Sequence, residues 1–351
     1  MTRTNILSLK RGTPPGWRWL IAFFILGGSS LVAAEDARVA DLKERAQRGE
    51  AGAQYTLGTM YASGRGVPRD NAEAAKWYRF AAEQENAPAQ FFLAVMYANG
   101  TGVPKDIAEA VKWSRKSAVW GHAAAQFLLA TMYANGEGVP KDVAEAIKWY
   151  RKAAEQGNTP AQFNLAVIYA NGAGVPKDSA EAMKWFRKAD EQGYAPAEFQ
   201  IGAMYARGDG VTKDGAEAVK WFRKSAEKGN ARAQLQLGVM YAGGESVSKD
   251  SAEAVKWYRQ AAGQGNVPAQ LNLGVMYANG EGVPKDIVEG LAWIDLAAAS
   301  GDELCVKNRD ALVGRVGPEV ASAALERSTQ ILKEIEAAKN APPPARAPKG
   351  K

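Results

Sequence analysis

Hydrophobic and polar positions along the chain recur with a fixed period of 36 residues. Two aromatic series step through the sequence with this period and never slip. A fixed period of this length is typical of a solenoid, in which each repeated unit buries its apolar face only against its neighbours. The series are Trp77, Trp113, Trp149, Trp185, Trp221, Trp257 and Trp293, and Tyr61, Tyr97, Tyr133, Tyr169, Tyr205, Tyr241 and Tyr277.

Each period predicts two antiparallel helices joined by a short turn. In the first unit, Ala53, Leu57 and Met60 lie at helical spacing and predict a helix near residues 51–63. The position of Gly58 holds glycine or alanine in every unit, which predicts that the paired helix packs closely there. In the third unit the second helix is predicted from Val143 to Gln156, with a buried face of Ala146, Trp149, Tyr150, Ala153 and Ala154.

Residues between the helices predict where each helix begins and ends. Gly136 fits the left-handed conformation that ends a helix, and Pro140 disfavours helix in the residue before it. Asp142 is expected to cap the second helix, with Glu145 three residues later completing a reciprocal capping pattern. The Asp-x-x-Glu pair occurs in all seven units, so we interpret these carboxylates as helix-start residues rather than as acid/base pairs.

The units resemble a known repeat family. Their pattern, A-x-x-x-L-G-x-M-Y-x-x-G-x-G-V-x-x-D-x-x-x-A-x-x-W-x-x-x-A-A-x-x-G, is similar to the Sel-one-like repeats, which are related to the tetratricopeptide repeats, over about residues 36–315. The resemblance implies a right-handed α/α superhelix that serves as an adaptor in complexes. For exported bacterial members it implies roles in envelope signalling, exopolysaccharide or cell-wall assembly, and host interaction.

The predicted fold class is therefore all-α, an α/α superhelical solenoid of seven 36-residue helix-turn-helix repeats with terminal capping helices. Capping helices are expected because the end units of a solenoid must cover its apolar core. The predicted organisation is a signal peptide at 1–34, an N-terminal capping helix at 35–50, seven repeats at 51–301, C-terminal capping helices at 302–339 and a disordered Pro-rich tail at 340–351.

Residues 1–34 have the composition of an export signal. A basic stretch ends at Arg18, an apolar run spans residues 19–26, and small residues precede a cleavage point after Ala34. The apolar run is too short, and too interrupted by glycine and serine, for a membrane span. We expect cleavage and export by the general secretory route to a bacterial periplasm, with an N-terminal membrane anchor or secretion as the alternatives.

The formal net charge of +6 does not indicate a nucleic-acid partner. The basic excess lies in the signal and in the tail, and between them acidic side chains slightly outnumber basic ones, so the repeats have no general surplus with which to bind phosphates. The basic residues concerned are Arg3, Lys10, Arg11, Arg18, Lys339, Arg346, Lys349 and Lys351.

No metal or cofactor is expected. His122 is the only histidine, which excludes a multi-histidine metal site. It stands where four other units have asparagine, in a turn between units, and we interpret it as a turn substitution. Cys305 is the only cysteine, so no disulfide can form within the chain, and we expect a small buried apolar side chain.

Two Ser-x-x-Lys matches raise the alternative of a β-lactam or cell-wall hydrolase. They are Ser225 with Lys228 and Ser246 with Lys249, the spacing of a serine nucleophile and its lysine in penicillin-interacting enzymes. Each match is one or two substitutions away from its sister units, and no companion motif is present. Family members described as β-lactamases carry a cysteine pair in each repeat, which this chain lacks. We therefore predict no catalytic activity.

Candidate partner-binding residues lie on the first helix of each unit, opposite its apolar stripe. We expect this variable stripe to line a concave groove that binds a protein or peptide, with binding of envelope glycan as the rival because the later units offer amides. The competing interpretation is that these residues only pack between units. The candidates are Phe92, Val95, Leu128, Thr131, Asn164, Gln200, Gln236 and Asn272.

Trp120 is a further candidate in an irregular turn. Val119-Trp120-Gly121-His122 stands where sister units read Glu-Gln-Gly-Asn. Trp120 is either an exposed anchor for a partner or a replacement for packing lost where Ser114 takes the place of an aromatic residue. Together the sequence predicts an exported, monomeric, non-catalytic scaffold.

Overall fold

The computed structural model describes residues 37–340, and every regular element in that range is an α-helix. This confirms the predicted all-α solenoid class. The helices are α1 (37–47), α2 (Ala51–Ser63), α3 (Asn71–Glu83), α4 (Ala87–Asn99), α5 (Ile107–Val119), α6 (Ala123–Asn135), α7 (Val143–Glu155), α8 (Thr159–Asn171), α9 (Ser179–Glu191), α10 (Ala195–Arg207), α11 (Gly215–Glu227), α12 (Ala231–Gly243), α13 (Ser251–Gly263), α14 (Val267–Asn279), α15 (Ile287–Ala298), α16 (Glu303–Val313) and α17 (Pro318–Asn340).

The described helices form two compact bodies, which divide between Asn158 and Thr159. These two bodies are the first unit and the second unit, and each 36-residue segment within them is a repeat. In the first unit, the hairpins α2/α3, α4/α5 and α6/α7 stack through contacts of α3 with α4 and of α5 with α6. In the second, α8/α9, α10/α11, α12/α13 and α14/α15 stack in the same manner. Helices α16 and α17 pack on α15. The predicted signal at 1–34 and most of the predicted tail lie outside the described residues, and α17 continues one residue beyond its predicted end.

The two helices of a hairpin approach each other closely at the small position of the first helix. A Cβ added to Gly238 would lie 2.5 Å from the ring of Tyr258, and one added to Gly58 would lie 2.8 Å from the ring of Tyr78. Real Cβ contacts are not this short, so only a small residue allows the aromatic ring of the second helix to lie against the first. The predicted close approach is confirmed, and it offsets the roughly 1 kcal/mol that glycine costs inside a helix.

The predicted aspartate caps are present, but the reciprocal half of the capping pattern is wrong. In the second repeat the side chain of Asp106 accepts from the backbone N–H of Glu109 at 3.0 Å. The N–H of Asp106 donates to the carbonyl of Tyr97 at 3.0 Å, so it needs no second acceptor. The Glu109 carboxylate instead accepts from the indole N–H of Trp113 at 2.9 Å. The glutamate thus orients the tryptophan instead of accepting the backbone N–H of the capping aspartate.

The sixth repeat contains a strained residue that its neighbour accommodates. Ser246 has φ 63° at a link position where other repeats use glycine. Its side chain points at Gly215, because a Cβ added there would lie 1.9 Å from Ser246 Oγ. Other repeats carry a side chain at the position of Gly215, for example Ile107 and Ser179. The missing side chain at residue 215 therefore makes room for the serine.

Among the described residues, no helix combines the length and apolar character needed to cross a membrane.

We predict that Gly215→Ala and Ser246→Gly are coupled. Gly215→Ala alone should lower the free energy of unfolding by about 1–3 kcal/mol, because the new methyl group meets Ser246. In a Ser246→Gly background the same change should cost nothing, or should stabilise, since alanine favours helix over glycine. Urea unfolding of the four variants measures the coupling. An equal effect of Gly215→Ala in both backgrounds would contradict it.

Candidate partner-binding surfaces

The variable stripe of the first unit is only partly open to solvent. Phe92 is 36% exposed, and its ring stacks on Tyr78 with 5.4 Å between centroids. Leu128 is half-buried and packs against the core around Leu93. Val95 is also half-buried. These side chains can contact a partner, but each also contributes to packing between helices.

The polar stripe residues have internal partners too. Thr131 Oγ1 lies 3.0 Å from the hydroxyl of Tyr150, as Thr59 Oγ1 lies 3.2 Å from that of Tyr78. In the second unit, Asn272 bonds to the hydroxyl of Tyr258, whose pKa burial raises to about 12. The remaining candidates, which are half-buried, are Asn164, Gln200 and Gln236. Part of the variation along the stripe therefore reflects hydrogen bonds to a tyrosine hydroxyl on the second helix of the hairpin.

Sequence reasoning missed a series of glutamine pairs that join the two helices of a hairpin. Gln54 is buried, its Nε2 donates to the carbonyl of Ala46 at 3.1 Å, and its Oε1 accepts from Gln84 Nε2 at 2.8 Å. The two glutamines are 30 residues apart, at the same two positions of the period, which is the signal that would have revealed them. The same bond joins Gln156 to Gln126, Gln192 to Gln162 and Gln264 to Gln234, at 2.8, 2.9 and 2.7 Å.

The fifth repeat keeps this bond with different chemistry. Glu198 replaces the buried glutamine and is fully buried, and Lys228 replaces its partner. The Lys228 ammonium donates to Glu198 Oε1, and Lys224 approaches the same oxygen at 3.3 Å. Both members of the pair have changed together, because a buried carboxylate without a cation is strongly destabilising.

In the second repeat only one member of the pair has changed. Trp120 occupies the position of the donating glutamine, and the indole sits at the end of α5 with 61% of its surface exposed. Gln90 remains buried at 1% exposure, and its Nε2 still donates to the carbonyl of Ala82 at 3.0 Å. Its Oε1 has no hydrogen-bond partner among the described residues. An unsatisfied buried acceptor costs roughly 1–3 kcal/mol.

The exposure of Trp120 decides between its two interpretations. Ser114 is fully buried, whereas the indole of Trp120 lies mostly in solvent, so Trp120 does not fill the space of the missing aromatic ring. The indole instead borders an open cleft of about 300 Å³ within the first unit. Residues that line this cleft include Glu83, Glu85, Gln90, Arg115, Val119 and Trp120, and none of the stripe residues.

His122 acts as a helix cap, which agrees with its interpretation as a turn substitution. Its Nδ1 accepts from the backbone N–H of Ala125 at 3.3 Å, the role that Asn86 plays for Ala89 at 2.9 Å. The imidazole ring lies 4.9 Å from the ring of Phe91. Burial lowers the pKa of His122.

Ser225 and Lys228 do not pair as a nucleophile and a base. Ser225 is buried and donates to the carbonyl of Ala195 at 2.6 Å, while Lys228 is bound to Glu198. Ser117 makes the same bond to Ala87 at 2.6 Å. A serine with this bond links the two helices of one hairpin, and its hydroxyl proton is engaged in that bond.

The single thiol of the chain lies in the protein interior. Cys305 is buried, as expected, and burial raises the pKa of its thiol. Residues 37–340 contain no cluster of histidine, cysteine, aspartate and glutamate side chains suited to a metal ion.

Comparison with known sequences identifies the repeats. The family model for the Sel1 repeat matches seven segments, and residues 119–122 fall in the gap between two of them, where Trp120 and His122 lie. The matched segments are 51–86, 87–118, 123–158, 159–194, 195–230, 231–266 and 267–302.

Solved structures of similar proteins agree with this family assignment. A Sel1 repeat protein from Oxalobacter formigenes is 38% identical, with a TM-score of 0.68 over 79% of this chain and 80% of that one. The protein c5321 of uropathogenic Escherichia coli, described as a protective antigen with an SLR fold, is 29% identical, with a TM-score of 0.54 over 89% and 84% of the two chains. No curated protein sequence matches this chain.

We predict that His122 makes stability depend on pH. Because burial lowers its pKa, the folded protein takes up this proton less readily than the unfolded chain, whose histidine titrates near 6.5. The contribution of the cap should be complete above that value and should be lost as pH falls through the lowered pKa. Protonation of Nδ1 also removes the acceptor from a helix N-terminus, where positive charge is unfavourable.

The control for this prediction is His122→Asn, which supplies the cap of the sister repeats. Between about pH 7.5 and pH 5, wild type should lose about 1 kcal/mol more stability than the variant, the usual contribution of a cap. Urea unfolding at each pH measures the difference. Parallel pH profiles would show that the histidine cap does not titrate in this range.

Proposed function

Because this chain belongs to the Sel1 repeat family, whose repeats form interaction scaffolds, we propose that it is a non-catalytic scaffold that binds a protein or peptide partner. The observation that supports this best is the half-open apolar stripe of the first unit. Phe92 is 36% exposed on the first helix of its hairpin, beside half-buried Val95. The equivalent positions of the second unit hold Asn164, Gln200, Gln236 and Asn272.

An apolar stripe on a rigid repeat is suited to a partner segment with apolar side chains. Hairpins packed through small residues and capped helices hold Phe92 and Leu128 in fixed positions, so little conformational freedom is lost on binding. The apolar side chains supply most of the affinity, while the amides of the later repeats would select polar groups.

We place this scaffold in the bacterial envelope as a monomer. The export signal predicted at 1–34 supports a periplasmic location, with membrane anchoring or secretion as alternatives. The similar Escherichia coli protein is described as a protective antigen, which fits an exported protein. Envelope signalling or assembly is the process that this location and a binding scaffold serve together.

The glycan alternative depends on the amides of the second unit. Asn164, Gln200, Gln236 and Asn272 are the groups that would bind sugar hydroxyls. Asn272 is already bonded to Tyr258, so this surface offers fewer open amides than the sequence suggests.

The test of the partner stripe is a double substitution, Phe92→Gln/Leu128→Asn, which installs residues found at the same position of later repeats. Crosslinking in native cells followed by purification should recover a specific protein with wild type and at least tenfold less with the variant, since the loss of two apolar contacts of about 1–2 kcal/mol each weakens binding by this factor or more.

The matched control is Asn164→Gln, which lies at the same position of the next repeat and leaves the apolar pair intact. Circular dichroism should show unchanged helicity for all variants. Equal recovery of one partner by wild type and by the double variant would move the contact away from the stripe, and recovery of polysaccharide alone would favour the glycan alternative.

A separate prediction concerns export. Expressed with its full sequence in a Gram-negative host, the protein should lose residues 1–34, and intact-mass measurement of the periplasmic fraction should give a chain that begins at Glu35. A full-length chain recovered with the membranes would favour the anchored alternative.

A further inference from the structure

Departures from the repeat pattern gather around one cleft of the first unit. Glu85 has φ 63° where the other turns of this type use glycine, for example Gly157 and Gly193. Val119 and Trp120 replace a glutamate and a glutamine of the sister repeats. All three line the same cleft of about 300 Å³. Backbone strain and lost internal bonds that coincide in space are typical of a surface selected for binding rather than for stability.

The cleft contains a buried acceptor whose internal donor is missing. In four other repeats, a glutamine carboxamide donates to the glutamine equivalent to Gln90, at 2.7–2.9 Å. In the fifth repeat, Lys228 donates to Glu198 instead. Trp120 offers an indole N–H in place of a carboxamide, but this N–H does not donate to Gln90 Oε1, which is left unpaired. The chain itself therefore shows which chemistry satisfies a neutral acceptor at this place, namely a primary carboxamide.

The rest of the cleft is lined by apolar side chains, by two glutamates and by two cationic side chains, Arg115 and Lys116. Val119 and Trp120 are 69% and 61% exposed and provide the apolar wall. The cationic groups nearby are already engaged, since Arg115 donates to the hydroxyl of Tyr133 and Lys116 lies 4.6 Å from the ring centroid of Trp113. A ligand that donates N–H groups and carries an apolar side chain fits this set.

We propose that this cleft binds a peptide segment of a partner protein that carries a glutamine next to an apolar residue. The glutamine carboxamide donates to Gln90 Oε1, in the place that Gln84 and Gln156 hold in their own repeats, and the apolar side chain packs on the indole of Trp120. Gln90 lines the cleft and its Oε1 is buried, so the exposed indole changes rotamer to admit the donor, a motion that exposed side chains make within nanoseconds. This inference rests on the proposed function and names a second, separate contact for it.

The proposal is tested by two substitutions that both remove the indole. Trp120→Gln supplies the internal donor, so it should satisfy Gln90, raise the melting temperature by several degrees and block the site. Trp120→Phe keeps an aromatic wall and supplies no donor, so it should leave the melting temperature unchanged and retain binding. This pair separates satisfaction of Gln90 from loss of the tryptophan itself.

The probe is a displayed library of random twelve-residue peptides, selected on the full-length protein with counterselection on Trp120→Gln. Selected peptides should share glutamine beside an apolar residue. By calorimetry, one such peptide should bind wild type and Trp120→Phe similarly and Trp120→Gln at least tenfold more weakly. Changing its glutamine to glutamate should cost a similar factor.

Each other outcome overturns the proposal in a distinguishable way. Peptides that bind wild type and Trp120→Gln equally, but lose affinity for Phe92→Gln/Leu128→Asn, would leave the scaffold function standing and assign it to the stripe alone. Absence of any enriched peptide would count against both the scaffold function and the cleft proposal. Unchanged stability of Trp120→Gln would show that Gln90 does not lack a donor. Binding of soluble polysaccharide at Trp120, seen as quenching of its fluorescence that Trp120→Phe removes, would assign the cleft to glycan.

Discussion

The close approach of the two helices in each hairpin is the constraint on which the rest of the structure depends. At Gly238 a single added methyl group would lie 2.5 Å from the ring of Tyr258. This short distance between the two helices sets the positions of the aromatic ring, of the alanines around it and of the neighbouring hairpin. A repeat can therefore change its outward side chains freely, but its facing residues only in matched combinations.

Matched changes occur at two places in the second unit. Ser246 has a strained left-handed backbone at a link position, and Gly215 lacks the side chain that would collide with it. Glu198 and Lys228 replace a glutamine pair and preserve the bond between the two helices of one hairpin. In both cases the partner lies about one repeat away in sequence and in direct contact in space, which is how a stacked repeat transmits the effect of a substitution.

The first unit contains a substitution for which no compensating substitution is present at its contact residue. Trp120 removes the donor for Gln90, and no compensating residue replaces it among the described residues. The neighbouring Glu85 adds a left-handed backbone that glycine would adopt more easily. A family whose repeats serve as scaffolds can accept such a loss of stability where it creates a surface, because the many other hairpin contacts hold the fold. The Sel1 architecture thus tolerates a local departure within an otherwise regular body.

Much of the structure follows from short-range rules that a single sequence displays directly. The period, the two helices of each repeat, their aspartate caps and the small position against an aromatic ring depend on residues within one or two turns of each other, or on an exact recurrence. Sequence reasoning also identified the turn at Trp120 and His122 as irregular, because six sister repeats show what the regular turn contains.

The tertiary structure decided which partners the polar side chains take. The sequence alone favoured a glutamate that closes a capping box, but the backbone N–H it would have met already donates to a tyrosine carbonyl, so the carboxylate holds an indole instead. The glutamine pairs and the unpaired Oε1 of Gln90 join residues 30 positions apart. Their meeting depends on how the two helices of a hairpin lie against each other, a distance and an orientation that no local pattern encodes.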